Sequence, residues 1–185
     1  MGASTKFTLR TSSLSPRVIW LTGLSGSGKT TLATHLKQVW AEQGVPCYIL
    51  DGDQVRRGLN QDLGFSPADR KENLRRIGEV SKLFLDAGLY VIAAFISPHE
   101  EDRQMVKEMF APGQFVEVYV QCPLEVCEAR DPKGLYNKAR KGEIPHFTGV
   151  SAPYDIPNKP DIVIDTELLD VETSITRLLQ ELDNL

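Results

Sequence analysis

From Gly23 to Thr31 the chain runs Gly23, Leu24, Ser25, Gly26, Ser27, Gly28, Lys29, Thr30, Thr31, a complete GxxxxGK[ST] spacing. Glycines at those positions let successive backbone N–H groups converge on a phosphate, while the lysine ammonium reaches the terminal phosphate oxygens. The Thr30 hydroxyl adds a hard oxygen for Mg²⁺, and a helix N-terminus at this point favours anions. The pattern predicts a nucleotide phosphate site rather than a Gly/Ser-rich turn. A second polar cluster, Asp51-Gly52-Asp53-Gln54-Val55-Arg56-Arg57, sets two carboxylates two residues apart. Beside a metal-bound nucleotide that pair suits water-mediated metal ligation by Asp51 and acceptance of a substrate hydroxyl proton by Asp53. The bland alternative is that both only cap a short helix, and Arg56 or Arg57 is either an anion contact or a solvated charge.

Residues of this kind must be held at the ends of regular elements. Five apolar runs, Val18–Leu21, Cys47–Leu50, Tyr90–Phe95, Phe115–Val120 and Ile162–Ile164, alternate with helical patterns, which predicts a parallel α/β sheet. Leu32, Leu36, Val39 and Trp40 mark one face of the helix after the phosphate loop, stopped by Gly44 and Pro46. A second helix is predicted over Pro67–Asp86, a third from about His99 to Phe110, and a last one over Asp170–Leu182. Ligands of open parallel sheets bind at the carboxyl ends of the strands, so the residues after each apolar run are the site candidates.

The third run ends in Phe95-Ile96-Ser97-Pro98-His99. Ser97 is expected to cap the next helix, with Pro98 in its first turn, and His99 to be a surface residue without a partner. Phe65 and Phe147 sit in Gly-flanked polar loops, where an aromatic face can stack on a base, although core burial is the usual fate of Phe. The stretch from Arg130 to Gly149 is strongly basic and punctuated by glycine, which reads as a lid over anionic phosphates or as a solvated surface helix.

With 185 residues the chain has the length of one domain, and its net charge of −4 argues against general affinity for nucleic acid or anionic membranes. Cys47, Cys122 and Cys127 are odd in number and lack a zinc-like spacing, so all three are expected to be reduced core thiols. No apolar stretch has membrane-spanning length, the start lacks the core of a secretory signal, and Lys6 spoils a myristoylation pattern. A cytoplasmic enzyme is the expectation. Residues 1–16, rich in Ser and Thr, are expected to be a flexible or edge-strand segment ahead of a domain over 17–185.

Taken together, Gly23–Thr31, Leu50–Arg56, Gly58–Arg76, Phe95–Pro98, Asp102-Arg103, Lys133–Tyr136 and Gly142–Gly149 resemble, in order, the motifs of the adenylylsulfate kinases. The combination of DGDxxR, GFSPxDRxEN, FISP and KGLYxKA followed by FTG is far more restrictive than a phosphate loop alone. The resemblance implies a P-loop kinase fold in three layers: a five-stranded parallel sheet, helices on both faces and a basic lid at about 130–149. It implies transfer of the γ-phosphoryl group of MgATP to the 3′-hydroxyl of adenylyl sulfate, a step of sulfate activation, with Mg²⁺ on Thr30 and Asp51. ATP would be held by Gly23, Leu24, Ser25, Gly26, Ser27, Gly28, Lys29, Thr30, Thr31 and Arg130. Adenylyl sulfate would be held by Asp53, Arg56, Phe65, Arg70, Asn73, Ile96, Ser97, Lys133, Gly134, Leu135 and Phe147. In that mapping Phe65 and Phe147 sandwich the adenine, Arg56, Arg70 and Asn73 hold the sulfate–phosphate group, and Lys29, Asp53 and Ser97 are the catalytic set. The family carries a proposal of a phosphorylated serine at the position of Ser97; direct in-line transfer explains the same residues in fewer steps. Several family members have Gly where this chain has His146. A homodimer and functional coupling to an ATP sulfurylase are further implications. The competing readings are a kinase for another hydroxylated metabolite, a catalytically silent nucleotide-binding domain, and a GTPase-like switch, which lacks its NKxD segment here.

Overall fold

The computed structural model describes residues 15–185, so the expectation for the N-terminal segment falls, as far as residue 14, outside the described residues. Five strands, β1 (Val18–Thr22), β2 (Cys47–Asp51), β3 (Tyr90–Ala94), β4 (Phe115–Gln121) and β5 (Ile162–Asp165), form one parallel sheet in the order β2-β3-β1-β4-β5. β1 lies at the centre, and every apolar run of the sequence became a strand within a residue or so of its expected ends. Because side chains alternate across a strand, Ile19 and Leu21 enter one core while Val18 and Trp20 enter the other. The first core is completed by α1 (Lys29–Glu42) and α7 (Val171–Asp183), the second by α3 (Pro67–Asp86) and α4 (Glu100–Lys107). In the second, Trp20 is fully buried with ring centroids 5.5 Å from Phe95 and 5.7 Å from Phe115.

α3 begins and ends where the sequence places it: the Ser66 hydroxyl accepts from Asp69 N, and Pro67 occupies the first turn, where its missing N–H costs nothing. The expectation for the third helix is corrected. α4 starts at Glu100 with His99 as its N-cap and stops at Lys107; the His99 side chain does not cap it, and Asp155 Oδ2 accepts from Glu100 N at 3.2 Å. Ser97 is instead buried, with φ 39°, because its hydroxyl is taken by partners on β1. His99 also has a neighbour, its Nδ1 lying 3.6 Å from Asp155 Oδ2.

The basic stretch after β4 is more than a solvated helix. α5 (Leu124–Arg130) and α6 (Leu135–Arg140) flank the turn at Asp131, and Cys122, Cys127, Tyr136, Ala139 and Phe147 form a small core of their own beneath it. Cys122 and Cys127 are free and buried there, whereas Cys47 is free but only half-buried on the β2 edge. No described helix is long and apolar enough to cross a membrane.

Candidate active site

The carboxyl ends of β1, β2, β3 and β5 open onto one cleft of about 1100 Å³, with the basic segment closing its far side. β1 feeds the phosphate loop. Gly23 has φ 154° and a Cβ there would meet the Val120 carbonyl at 2.6 Å; Gly26 has φ 79° and a Cβ would lie 2.9 Å from the Cys127 carbonyl. Only glycine passes both points, which is the local reason for the motif. α1 starts at Lys29 with Gly28 as N-cap, no capping side chain and no acid in its first turn. Its first-turn N–H groups have no intrahelical acceptor and point into the cleft, a ready anion cradle. Lys29 Nζ is buried and donates to the carbonyls of Gly23 at 2.9 Å and Leu24 at 2.6 Å. Burial pulls its pKa down to about 8.

β2 delivers the acid pair. Asp51 Oδ2 accepts from the Thr30 hydroxyl at 2.9 Å, and its Oδ1 accepts from Asp53 N at 3.0 Å, so it caps α2 (Gly52–Arg56) and faces the phosphate loop at once. The capping reading of Asp51 holds, and the same carboxylate stands beside the phosphate loop through Thr30. Among the described residues no cluster of three or more His, Cys, Asp or Glu could cage a metal. One carboxylate beside one hydroxyl fits a Mg²⁺ that keeps its waters and takes further ligands from phosphate. Asp53 is exposed and ion-paired with Lys133 Nζ from the lid.

The other end of the cleft is built on Phe65. Its exposed ring lies under two guanidinium groups, Arg56 at 4.5 Å and Arg70 at 5.5 Å from the centroid. Arg56 donates to the Leu63 and Gly64 carbonyls, and Arg70 to those of Phe65 and His146, which ties the loop before α3 to the lid. His146 has φ 53°, the left-handed region that favours glycine. Asn73, buried on α3, accepts from Asn60 Nδ2 at 3.0 Å, leaving its own amide N–H groups for the cleft. Ile96, Ser97, Pro98, Lys133, Leu135 and Phe147 complete the wall. Phe147 is buried edge-on against Tyr136 at 5.1 Å, whereas Phe65 is exposed; both line the cleft.

Most sequence-predicted residues thus meet in one place. Gly23, Leu24, Ser27 and Gly134 shape the backbone behind the wall without lining it, and Arg57 is exposed outside it. Arg130 lies at the phosphate-loop side, donating to the Thr166 carbonyl at 2.6 Å.

A family model described as adenylylsulphate kinase matches residues 15–165. The chain belongs to the adenylylsulphate kinase family. The adenylyl-sulfate kinase of Geotalea uraniireducens is 58% identical over 165 residues, covering 89% of this chain and 79% of that protein. The probable adenylyl-sulfate kinase of Halalkalibacterium halodurans is 58% identical over 161 residues, covering 87% and 80%. Among solved structures, the Mycobacterium tuberculosis APS kinase CysC in complex with AMPPNP and APS superposes with a TM-score of 0.88 at 43% identity, covering 92% of this chain and 99% of that one. Membership of this family makes the chain an ATP-dependent kinase with the P-loop kinase fold.

Sequence reasoning passed over one stretch of wall. Thr166, Leu169, Asp170, Val171 and Ser174 line the cleft between β5 and α7. Thr166 Oγ1 donates to the Ser27 carbonyl at 2.7 Å and so fixes the phosphate loop from behind. It is the residue immediately after β5, where the strand-end rule would have found it.

Proposed function

We propose that the chain transfers the γ-phosphoryl group of MgATP to the ribose 3′-hydroxyl of adenylyl sulfate, giving 3′-phosphoadenylyl sulfate and ADP. The observation that carries this reading is the two-ended cleft: a phosphate loop at one end, the Phe65–Arg56–Arg70–Asn73 group at the other, and Asp53 joining them. Asp53 lies two residues after the Thr30-bound Asp51 and three before Arg56, so it stands where donor and acceptor meet. Phe65 offers a face to the acceptor adenine, with Phe147 as the opposing wall. Arg56, Arg70 and the Asn73 amide hold the sulfate–phosphate anion. Ile96, Ser97 and Leu135 bound the pocket, while Arg130 flanks the donor base.

In the transfer, the α1 N-terminus and Lys29 hold the β- and γ-phosphates and neutralise the charge that develops between them. Asp53 orients the 3′-hydroxyl and takes its proton, releasing Lys133 to the incoming anion. Thr30 and Asp51 would hold a Mg²⁺, which when bound would supply charge neutralisation at the phosphates. The lid shields the transfer from water. Residues 17–185 act as one catalytic domain, and the free thiols and the ATP donor fit a cytoplasmic setting. A homodimer and coupling to an ATP sulfurylase belong to the same proposal, and sedimentation velocity reads the first directly.

An ADP-release assay with adenylyl sulfate against adenylate, nucleosides and sugars tests the substrate. Turnover with adenylyl sulfate alone is expected; a faster rate with a sugar or nucleoside would overturn the acceptor and leave the kinase standing. Two further outcomes follow from the geometry. The Ser97 hydroxyl already donates to Thr22 Oγ1 at 2.9 Å and accepts from the Trp20 indole at 3.1 Å, so it is engaged away from any phosphate. Ser97→Ala is expected to keep kcat within about tenfold, the scale of a lost neutral hydrogen bond or two, with no γ-phosphate label left on the wild-type protein. A phosphoserine route predicts loss to background. Second, because Lys29 in the free protein titrates near 8, kcat/KM for ATP is expected to fall as pH rises past about 8. Bound phosphates raise that pKa, so kcat at saturating ATP should hold to higher pH. A flat kcat/KM profile up to the range of an ordinary lysine would refute the assignment.

A further inference from the structure

Tyr154 lies beyond the lid and does not line the cleft, yet its hydroxyl is 3.0 Å from Thr22 Oγ1. Thr22 is the last residue of β1, directly before the phosphate loop. The Thr22 proton goes to the Ile96 carbonyl at 2.8 Å, which leaves its lone pairs to accept from Ser97 Oγ at 2.9 Å and from Tyr154. Ser97 Oγ accepts in turn from Trp20 Nε1 at 3.1 Å. Each hydroxyl is then satisfied, and the Tyr154 O–H can serve only as donor; burial, which raises its pKa, keeps that proton in place.

The same dipeptide is clamped from the other side. Arg103, fully buried and 2.9 Å from Glu117 Oε1, donates to the Ser97 carbonyl and to the Asp155 carbonyl, both at 2.8 Å. Its guanidinium lies 5.8 Å from the Tyr154 ring centre. Asp155 N closes the circuit on the Pro98 carbonyl at 2.8 Å. Ser97 has a left-handed backbone, φ 39°, which a non-glycine residue keeps only when its surroundings over-determine it. The surroundings that do so here are Thr22, Tyr154 and Arg103.

We propose that Tyr154 and Thr22 are positioning residues for the acceptor half of the site: their hydrogen bond locks Ile96 and Ser97 in the cleft-lining conformation and fixes that wall against the root of the phosphate loop. The proposal rests on the reading that Ile96 and Ser97 face the acceptor nucleotide.

Tyr154→Phe deletes one hydroxyl and keeps the ring beside Arg103. It is expected to raise KM for adenylyl sulfate about five- to tenfold, the worth of a neutral hydrogen bond, with KM for ATP unchanged. Thr22→Val strips three partners and should raise it further, Thr22→Ser should restore it to near the wild-type value, and the double variant should be no worse than Thr22→Val alone, since both break one network. A fall in melting temperature with both KM values unmoved would reduce the pair to structural support and overturn the proposal. So would equal shifts in both KM values. Wild-type turnover with adenylyl sulfate, measured alongside, separates this failure from failure of the substrate assignment: without it, the same variants are read on whichever acceptor the panel identifies, and a KM for that acceptor unaffected by Tyr154→Phe overturns the proposal equally.

Discussion

Lys29→Ala is expected to lower kcat at least a hundredfold, about 3 kcal/mol of lost electrostatic stabilisation of the transferring phosphoryl group. Among the described residues no neighbouring cation is placed to substitute. Arg130 is committed to Thr166, Lys133 to Asp53, and Arg56 and Arg70 to the loop around Phe65 at the opposite end of the cleft. The loss should appear without unfolding. Burial lowers the Lys29 pKa, which means that the folded protein holds its charge at a cost and gains nothing in stability from it. Lys29→Met, which retains most of the buried stem, should therefore melt at or above the wild-type temperature while matching the alanine variant in rate. Arg should not rescue, because a planar fork cannot occupy a slot bounded by the Gly23 and Leu24 carbonyls and the Ser27 hydroxyl. Near-full turnover of either variant would remove Lys29 from the mechanism.

What the sequence made legible, and what it hid, divides by the range of the interaction. The bounds of α3 were readable to the residue because the signals that set them are local: Pro67 in the first turn, Gly88 after the end, and Leu74, Ile77, Val80, Leu83 and Phe84 at helical spacing, of which only Leu83 faces solvent. The phosphate loop was readable because its glycines are required by backbone geometry within nine residues. Ser97-Pro98 carries the same local cap signal as Ser66-Pro67, and there the inference failed. The Ser97 hydroxyl is claimed by Trp20 and Thr22, 77 and 75 residues away, and a buried network outcompetes an exposed cap. Asn60 and Tyr154 escaped notice for the same reason, being ordinary residue types whose meaning comes from Asn73 and Thr22 across the fold. Arg103 was visible within a family motif, but only the structure gives it partners: Glu117, Ser97 and Asp155. His146 shows the converse. A residue with no glycine signal of its own adopts φ 53°, the left-handed region that favours glycine, and the carbonyl it presents is held by Arg70.

Asp53→Asn should be the most damaging single change on the acceptor side, lowering kcat by about 10²- to 10⁴-fold, the usual contribution of a positioned general base. Asparagine keeps the size and can still accept a hydrogen bond from the 3′-hydroxyl, but it cannot take the proton. ATP affinity should be unchanged, since Asp51 and not Asp53 bonds Thr30. One complication is specific to this site: Asp53 is ion-paired with Lys133, so its neutralisation also frees a lid cation. The pair is exposed, and breaking it should cost little in stability. Lys133→Ala resolves the two roles. If Asp53 mattered only as an anchor for the lid, Lys133→Ala would reproduce the full loss in kcat. If Asp53 handles the proton, Lys133→Ala should act mainly on KM for the acceptor, and the double variant should be no more active than Asp53→Asn. An Asp53→Asn protein retaining kcat within a few fold would leave the 3′-hydroxyl proton to solvent and return Asp53 to the role of a surface anchor.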